Sequence, residues 1–191
     1  MKNKFRIIVL LVISFQFCFA QIEKHEYVVE NNNSDIKVEY SFLNNYGFKK
    51  LPFLDSTNFD NHKIELLLTK EQIKILNLDT VFKKEYLEFD MIQIGVNYRL
   101  ELSENFRTIA IFFYFTKNEL SSTLINYDSD FNVIDFKTIA ADEIAESIFR
   151  TKSLIEKNKI TISNFKYFNE TITEIETFEI DENGRFIKTK R

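Results

Sequence analysis

Residues 91–102 read MIQIGVNYRLEL and alternate between apolar and polar side chains along their whole length. The apolar positions are Ile92, Ile94, Val96, Tyr98, Leu100 and Leu102. Successive side chains of a β-strand point to opposite faces of its sheet, so residues two apart share a face. The pattern therefore predicts a strand that places all six apolar side chains on one buried face.

The next segment predicts a strand that is buried on both faces. A short polar turn at 103–105 leads into residues 106–116, which read FRTIAIFFYFT and are apolar at every position from 109 to 115. A strand with apolar side chains on both faces belongs in the centre of a sheet that is covered on both sides.

Farther from this centre, apolar segments alternate with clusters of Asn and Asp that favour turns. The turn at 181–184 ends in Asn183-Gly184, which favours a hairpin or a G1-type bulge before Phe186. The other predicted strand pairs are 25–30 with 35–43, 120–127 with 133–140, and 159–168 with 171–180, the last around Asn169-Glu170.

Three stretches depart from this pattern. Residues 69–72 read TKEQ, which matches a capping box and predicts a short helix near 70–77. Residues 142–151 fit helical spacing as well as the strand rhythm, so both interpretations stay open. Residues 44–61 contain Gly47 and Pro52 with little alternation, which predicts a long connection.

Together these segments predict a mainly β fold, an antiparallel meander of about 8–10 strands with one short helix near 70–77. The pattern leaves open whether the meander closes into a barrel or forms a curved sheet or sandwich. Residues 21–191 contain no Pro- or Ser-rich linker, so they are predicted to form a single β-rich domain.

The N-terminus, residues 1–20, reads MKNKFRIIVLLVISFQFCFA and has the layout of a secretory signal peptide. Three basic residues precede an apolar run that is short for an anchor, which needs about 20 apolar residues. Ala20 provides the small residue before the cut, whereas bulky Phe17 beside Cys18 disfavours a lipoprotein site. We therefore predict that the mature chain begins at Gln21 and is exported to the periplasm or the exterior, with no transmembrane segment after cleavage.

Cleavage would also change the chemistry that the chain has available. It removes Cys18, the only cysteine, and with it any disulfide or thiol nucleophile. Residues 1–20 hold three basic and no acidic side chains, so their loss takes the formal net charge from −4 to −7. An acidic chain without a basic stripe predicts no nucleic-acid partner.

Residues that could support catalysis or bind a metal are few. A serine nucleophile would need His25 or His62 as its base, and no Gly-x-Ser-x-Gly sequence is present. Two histidines cannot complete a zinc site without several carboxylates. Residues 128–132, DSDFN, begin like a calcium loop, but Val133 and Ile139 replace the required Gly and Glu. We interpret this segment as a β-turn that its own Asp and Asn side chains cap.

Two acidic pairs, Glu88 with Asp90 and Glu174 with Glu176, are candidates for a carboxylate-based hydrolase. Residues two apart on a strand stand about 6–7 Å from each other, a separation that glycoside hydrolases use. Charged residues on the outer face of a strand are ordinary, however. We therefore assign no catalytic, cofactor-binding or metal-binding residue and expect no cofactor.

The leading hypothesis is an exported, non-enzymatic β-domain that binds an unknown envelope or extracellular protein or a small ligand, or supports an envelope structure. The alternatives are an up-and-down barrel that carries a small apolar ligand, and a carboxylate-based hydrolase. The carrier predicts a closed barrel with an apolar cavity. The hydrolase predicts two carboxylates that converge in a pocket, and a partner-binding domain predicts an exposed apolar patch or sheet edge.

Overall fold

The structure, a computed structural model, describes residues 40–64, 66–83, 87, 92–115, 118–143, 149–166 and 171–189. All of them belong to one compact unit, Asp35–Arg191. The predicted signal peptide, the predicted strand at 25–30 and the turn at Asn169-Glu170 lie outside the described residues. The export and the domain boundary at residue 20 therefore stay predictions.

The described residues form a mainly β structure, as predicted. They contain ten strands: β1 (Phe48–Lys49), β2 (Phe53–Asp55), β3 (Ile92–Leu100), β4 (Arg107–Phe115), β5 (Glu119–Tyr127), β6 (Val133–Glu143), β7 (Phe149–Glu156), β8 (Lys159–Lys166), β9 (Thr171–Ile180) and β10 (Phe186–Lys188). The predicted short helix is α1 (Lys70–Ile75), and two 3-10 helices cover Ser41–Asn45 and Leu78–Thr80. None of these helices in the described part of the chain is long and apolar enough to cross a membrane.

The strands form one sheet in the order β1-β3-β4-β5-β6-β7-β8-β9-β10, and β2 pairs with β7 away from this path. Every pairing is antiparallel except that of β1 with β3. The predicted pairs of β5 with β6, β8 with β9 and β9 with β10 are confirmed. The sheet is not closed into a barrel, so the open form among the predicted alternatives is the one present.

A β-bulge in β3 makes one prediction wrong. Val96 lies opposite Ile111, but Tyr98 lies opposite Ala110, so Asn97 is an extra residue in the strand. Adjacent residues of β4 point to opposite faces, and each partner in β3 shares the face of the residue it opposes. The six apolar residues of 92–102 therefore divide between the two faces of the sheet.

The two faces carry separate hydrophobic clusters. The first cluster joins the N-terminal half of β3 to α1 and the 3-10 helices, and it includes Leu43, Leu76, Leu78, Ile94, Val96, Ile111 and Phe113. The second cluster joins β3–β5 to β6–β9, and it includes Tyr98, Leu100, Ala110, Leu124, Ile139, Ile155, Ile160 and Phe178. Residues 108–113 of β4 are all buried, which confirms the prediction of a central strand covered on both faces. The second cluster shows that the sheet curves until its two halves pack against each other.

The sheet divides between β6 and β7. These strands pair at only three positions, from Ala141–Thr151 to Glu143–Phe149, and β2 then pairs with Ser153–Ile155 of β7. Within the segment 142–151, the described residues at both ends are strand: 142–143 belong to β6 and 149–151 to β7. Residues 44–61 contain β1 and β2, so their prediction as a connection without strands is wrong.

The predicted strand at 35–43 is also wrong in its described part. Residues 41–45 form a 3-10 helix, and Leu43 N donates to Tyr40 O. Tyr40 stacks on Phe131 with ring centroids 3.7 Å apart, and Leu43 is buried in the first cluster. These contacts bury the apolar side chains without any strand partner, and the alternation alone could not show that.

Candidate functional site

An open cleft lies at the edge of β3, between residues 45–49 on one side and residues 57–63 and 66 on the other. It has a volume of about 390 Å³. We call it the β3-edge cleft. The residues that line it are Asn45, Tyr46, Gly47, Lys49, Thr57, Asn61, His62, Lys63, Leu66, Val96, Asn97 and Phe112.

The cleft exists because two separate segments cover the edge of β3. Arg99 N donates to Gly47 O at 3.1 Å, and Leu68 N donates to Ile94 O at 2.8 Å. Between these contacts, no backbone hydrogen bond from either segment reaches Val96 or Asn97 among the described residues. The bulged part of β3 therefore lies open to the cleft.

Gly95 allows the second segment to approach β3 this closely. A Cβ atom at Gly95 would lie 2.3 Å from the Phe112 ring and 2.5 Å from Leu66 O. Both distances are far shorter than van der Waals contact, so any side chain here would push residue 66 away from the strand.

Behind the cleft, a buried carboxylate links three strands. Asp55 of β2 is 1% exposed, and its Oδ2 accepts hydrogen bonds from Tyr98 Oη at 2.5 Å and Ser122 Oγ at 2.9 Å. Its Oδ1 accepts from Thr57 N at 2.9 Å. Burial, and then the negative charge of Asp55, raise the pKa of Tyr98 well above its ordinary value. Both oxygens of this carboxylate therefore have donors, and the cluster anchors the cleft wall to the sheet.

His62 lies in the wall of the cleft, edge-on to Phe112 with ring centroids 4.5 Å apart. Its Nε2 atom is buried and has no hydrogen-bond partner among the described residues. Burial lowers the pKa of His62 below its ordinary 6.5, and Asp55 partly opposes this change. The imidazole is consequently neutral at pH 7.

A buried ion pair fixes the turn that precedes His62. Asp142 is 1% exposed and accepts hydrogen bonds from Arg150 Nη2 at 2.9 Å and Phe59 N at 3.0 Å. Arg150 also contacts Asp60 at 3.3 Å. Because Asp142 and Arg150 sit where β6 meets β7, the turn is attached to the point at which the sheet divides.

The described residues that line the cleft include two lysines and no carboxylate. Lys49 and Lys63 are exposed and belong to the two different segments beside the opening. The chain as a whole has 29 acidic and 25 basic residues, so this lining is more positive than the composition predicts.

The structure describes some of the predicted candidate residues. His62 lines the cleft, whereas Cys18, His25, Glu88 and Asp90 lie outside the described residues. No group of three or more His, Cys, Asp or Glu that could hold a metal ion occurs in the part of the chain that the structure describes.

Glu176, one of the predicted acidic pair on β9, makes an ion pair with Lys188. The hydrogen bond from Lys188 lowers the pKa of Glu176. The turn at 128–132 is capped as expected, since Asp128 Oδ1 accepts from Asp130 N at 2.9 Å and Asn132 N at 2.8 Å.

Sequence reasoning missed Asp55, Asn97, Lys49 and Lys63. Asp55 ends a short apolar run, and nothing local indicates that Tyr98 and Ser122 will surround it. The role of Asn97 depends on the bulge, which is a property of strand pairing. The two lysines come together only because β1 and the segment after β2 lie on the same edge.

No protein-family model matches the chain, and neither do any curated proteins or solved structures. The function must therefore be argued from the geometry of the cleft.

Proposed function

We propose that the chain is an exported, non-enzymatic binding domain and that the β3-edge cleft is its ligand site. The observation that carries this proposal is an open, polar cleft of about 390 Å³ beside the bulge of β3. Small-molecule sites are concave, of about 300–1,000 Å³, with a few polar groups that orient the ligand. The secretory pattern of residues 1–20 supports export.

The groups around the cleft favour binding over catalysis. Asp55 is buried behind the wall, and its oxygens already accept three hydrogen bonds. Ser122 donates to Asp55 and is fully buried, so it is not arranged as a nucleophile with His62 as its base. A general acid or base must reach its substrate, and these groups do not face the opening.

The structure gives less support to the two alternatives. The sheet is open, and the fully buried side chains of Ile139, Ile155 and Ile160 fill the space between its halves. An apolar ligand would need that space. Of the acidic pairs, Glu174 is exposed and Glu176 is occupied by Lys188.

Native mass spectrometry of the protein purified from its own envelope or culture fluid tests the proposal. We expect the mass of residues 21–191, together with a noncovalent small molecule that denaturation releases. Gly47→Phe should abolish this second species, because the space beside Gly47 is open and a ring there would occupy the cleft.

Lys157→Phe is the matched control, since it adds the same ring in the exposed turn between β7 and β8. It should retain the bound molecule. A mass that still includes residues 1–20 would contradict export. A bound molecule that persists in Gly47→Phe, or the absence of any bound molecule, would contradict the assignment of the cleft.

A further inference from the structure

We propose that the β3-edge cleft selects a small organic anion, with a carboxylate or phosphate group held between Lys49 and Lys63. This inference rests on the proposed function, because it assumes that the cleft is the ligand site, and it adds the chemical class of the ligand.

The distribution of charge around the opening supports an anion. Lys49 and Lys63 line the cleft from its two segments, and no described lining residue is acidic. Two described carboxylates near the cleft are already engaged, Asp55 by hydroxyl donors and Asp60 by Arg150. An anion between the lysines would therefore meet little competition from Asp55 and Asp60.

A third positive charge lies behind the first wall. Arg99 Nε donates to Tyr46 O at 2.9 Å, and the guanidinium lies 4.1 Å from the centroid of the Phe48 ring. Arg99 is thus fixed to the segment that carries Lys49. Positive charges grouped at a concave surface raise the local concentration of anions.

A neutral polar group of the cleft can also donate a hydrogen bond. Thr57 Oγ1 accepts from Asn97 Nδ2 at 3.0 Å, which leaves the hydroxyl proton of Thr57 for another acceptor. His62 Nε2 is buried in the wall of the cleft and adds no donor for a ligand. The hydroxyl donor of Thr57 complements the oxygens of a carboxylate or phosphate.

The size of the cleft argues for an organic ligand over a bare inorganic ion. A volume of about 390 Å³ exceeds that of one carboxylate or phosphate group several-fold. The rings of Tyr46 and Phe112 lie in the lining, where they can contact the uncharged part of a ligand. The uncharged part of the ligand would contact these rings while its anionic group lies between the lysines.

Titrations of the exported protein, followed by ¹H–¹⁵N NMR, test this inference with four probes: citrate, glucose 6-phosphate, inorganic phosphate and glucose. We expect citrate or glucose 6-phosphate to shift the amide signals of Gly47, Thr57 and Asn97 in a saturable manner. Inorganic phosphate should bind more weakly, and glucose should cause no shift. A response to citrate alone indicates a carboxylate ligand, and a response to glucose 6-phosphate alone indicates a phosphate ligand.

The variant Lys49→Gln/Lys63→Gln should weaken binding about tenfold or more, because hydrogen bonds to charged groups contribute strongly to affinity. The matched control is Lys74→Gln/Lys157→Gln, which removes two exposed charges that do not line the cleft. It should bind the same probe within about twofold of the native protein. Thermal unfolding of both variants confirms that they fold.

Equal weakening in the two double variants would overturn the inference, since only the net charge would then matter. The absence of a response to every anion would also overturn it. If the molecule found by native mass spectrometry is neutral and still depends on the cleft, the proposed function holds and only the anionic ligand class fails.

Discussion

At the scale of single residues, Phe131 and Gly184 occupy the same position in two similar turns. Both have positive φ angles, 60° and 84°. Each turn begins with an Asp whose Oδ1 accepts from the amides two and four residues later. Glycine adopts this conformation without strain, whereas a bulky residue pays about 1–2 kcal/mol. The burial of Phe131, which is 5% exposed, offsets that cost.

Replacing Phe131 with glycine separates these two effects. Phe131→Gly relieves the backbone strain but removes the stacking on Tyr40 and the contact with Tyr127. Truncating a buried Phe costs about 3–5 kcal/mol, so we expect a net loss of about 2–3 kcal/mol in the free energy of unfolding. Urea denaturation measures it. A variant as stable as the native protein would contradict this expectation, because the strain relieved would then equal the packing lost.

Tyr98 provides a second test at this scale. Tyr98→Phe removes a donor from the buried carboxylate of Asp55 and should lower the free energy of unfolding by about 1–3 kcal/mol. Tyr114→Phe is the control, because the Tyr114 hydroxyl makes no hydrogen bond to a described residue and its ring still packs on Phe59. Urea denaturation measures the free energy of unfolding of both variants. Equal losses in the two would show that the hydrogen bond to Asp55 adds nothing to stability.

His62 should make stability depend on pH. Burial lowers its pKa below 6.5 in the folded chain, so the unfolded chain binds a proton more readily. The stability that neutral, buried His62 allows is complete above pH 6.5 and is lost as the pH falls below this value. The lowered pKa values of Asp128 and Glu176 affect the stability only at lower pH. His62→Gln should flatten the slope of stability between about pH 7.5 and 5.5. Equal slopes in the native protein and in His62→Gln would contradict the prediction.

At the scale of elements, local sequence signals predicted the short helix and the turns. They did not predict every feature of the pairing between strands. The capping box of α1 forms as expected, with Thr69 Oγ1 accepting from Gln72 N and Gln72 Oε1 accepting from Thr69 N. The turns at 128–132 and 181–184 also form as expected, because each depends on a few adjacent residues. The bulge at Asn97 and the insertion of β2 beside β7 depend on distant strands, so alternation along one segment could not reveal them.

The junction of β6 and β7 depends on one ion pair. Arg150→Met would leave Asp142, which is 1% exposed, without its cation, and we expect a loss of about 3 kcal/mol in stability. The double variant Arg150→Met/Asp142→Leu should recover part of this loss, because it no longer buries an unpaired charge. Thermal unfolding of the single and double variants measures the difference. A double variant less stable than the single one would contradict the role of the unpaired charge.

At the scale of the whole molecule, the fold class followed from the sequence but the closure of the sheet did not. A meander can close or stay open with the same strands, since closure depends on strand tilt and stagger. The cleft could not be predicted for a related reason. It combines residues 45–49, 57–63, 66 and 96–97, whose proximity results from two short segments sharing the edge of β3. Only His62 was a candidate beforehand, because histidines are rare in this chain.

The extra residue at Asn97 affects how β3 can change in length over evolution. Deletion of Asn97 would leave Val96 opposite Ile111 and Tyr98 opposite Ala110, so both hydrophobic clusters would keep their members. It would remove the hydrogen bond from Asn97 Nδ2 to Thr57 Oγ1 at the cleft. A deletion elsewhere in the strand would instead turn the side chains on one side of the missing residue toward the wrong face of the sheet. Length variation within β3 should therefore be confined to the bulge, where it alters the cleft and leaves the core in place.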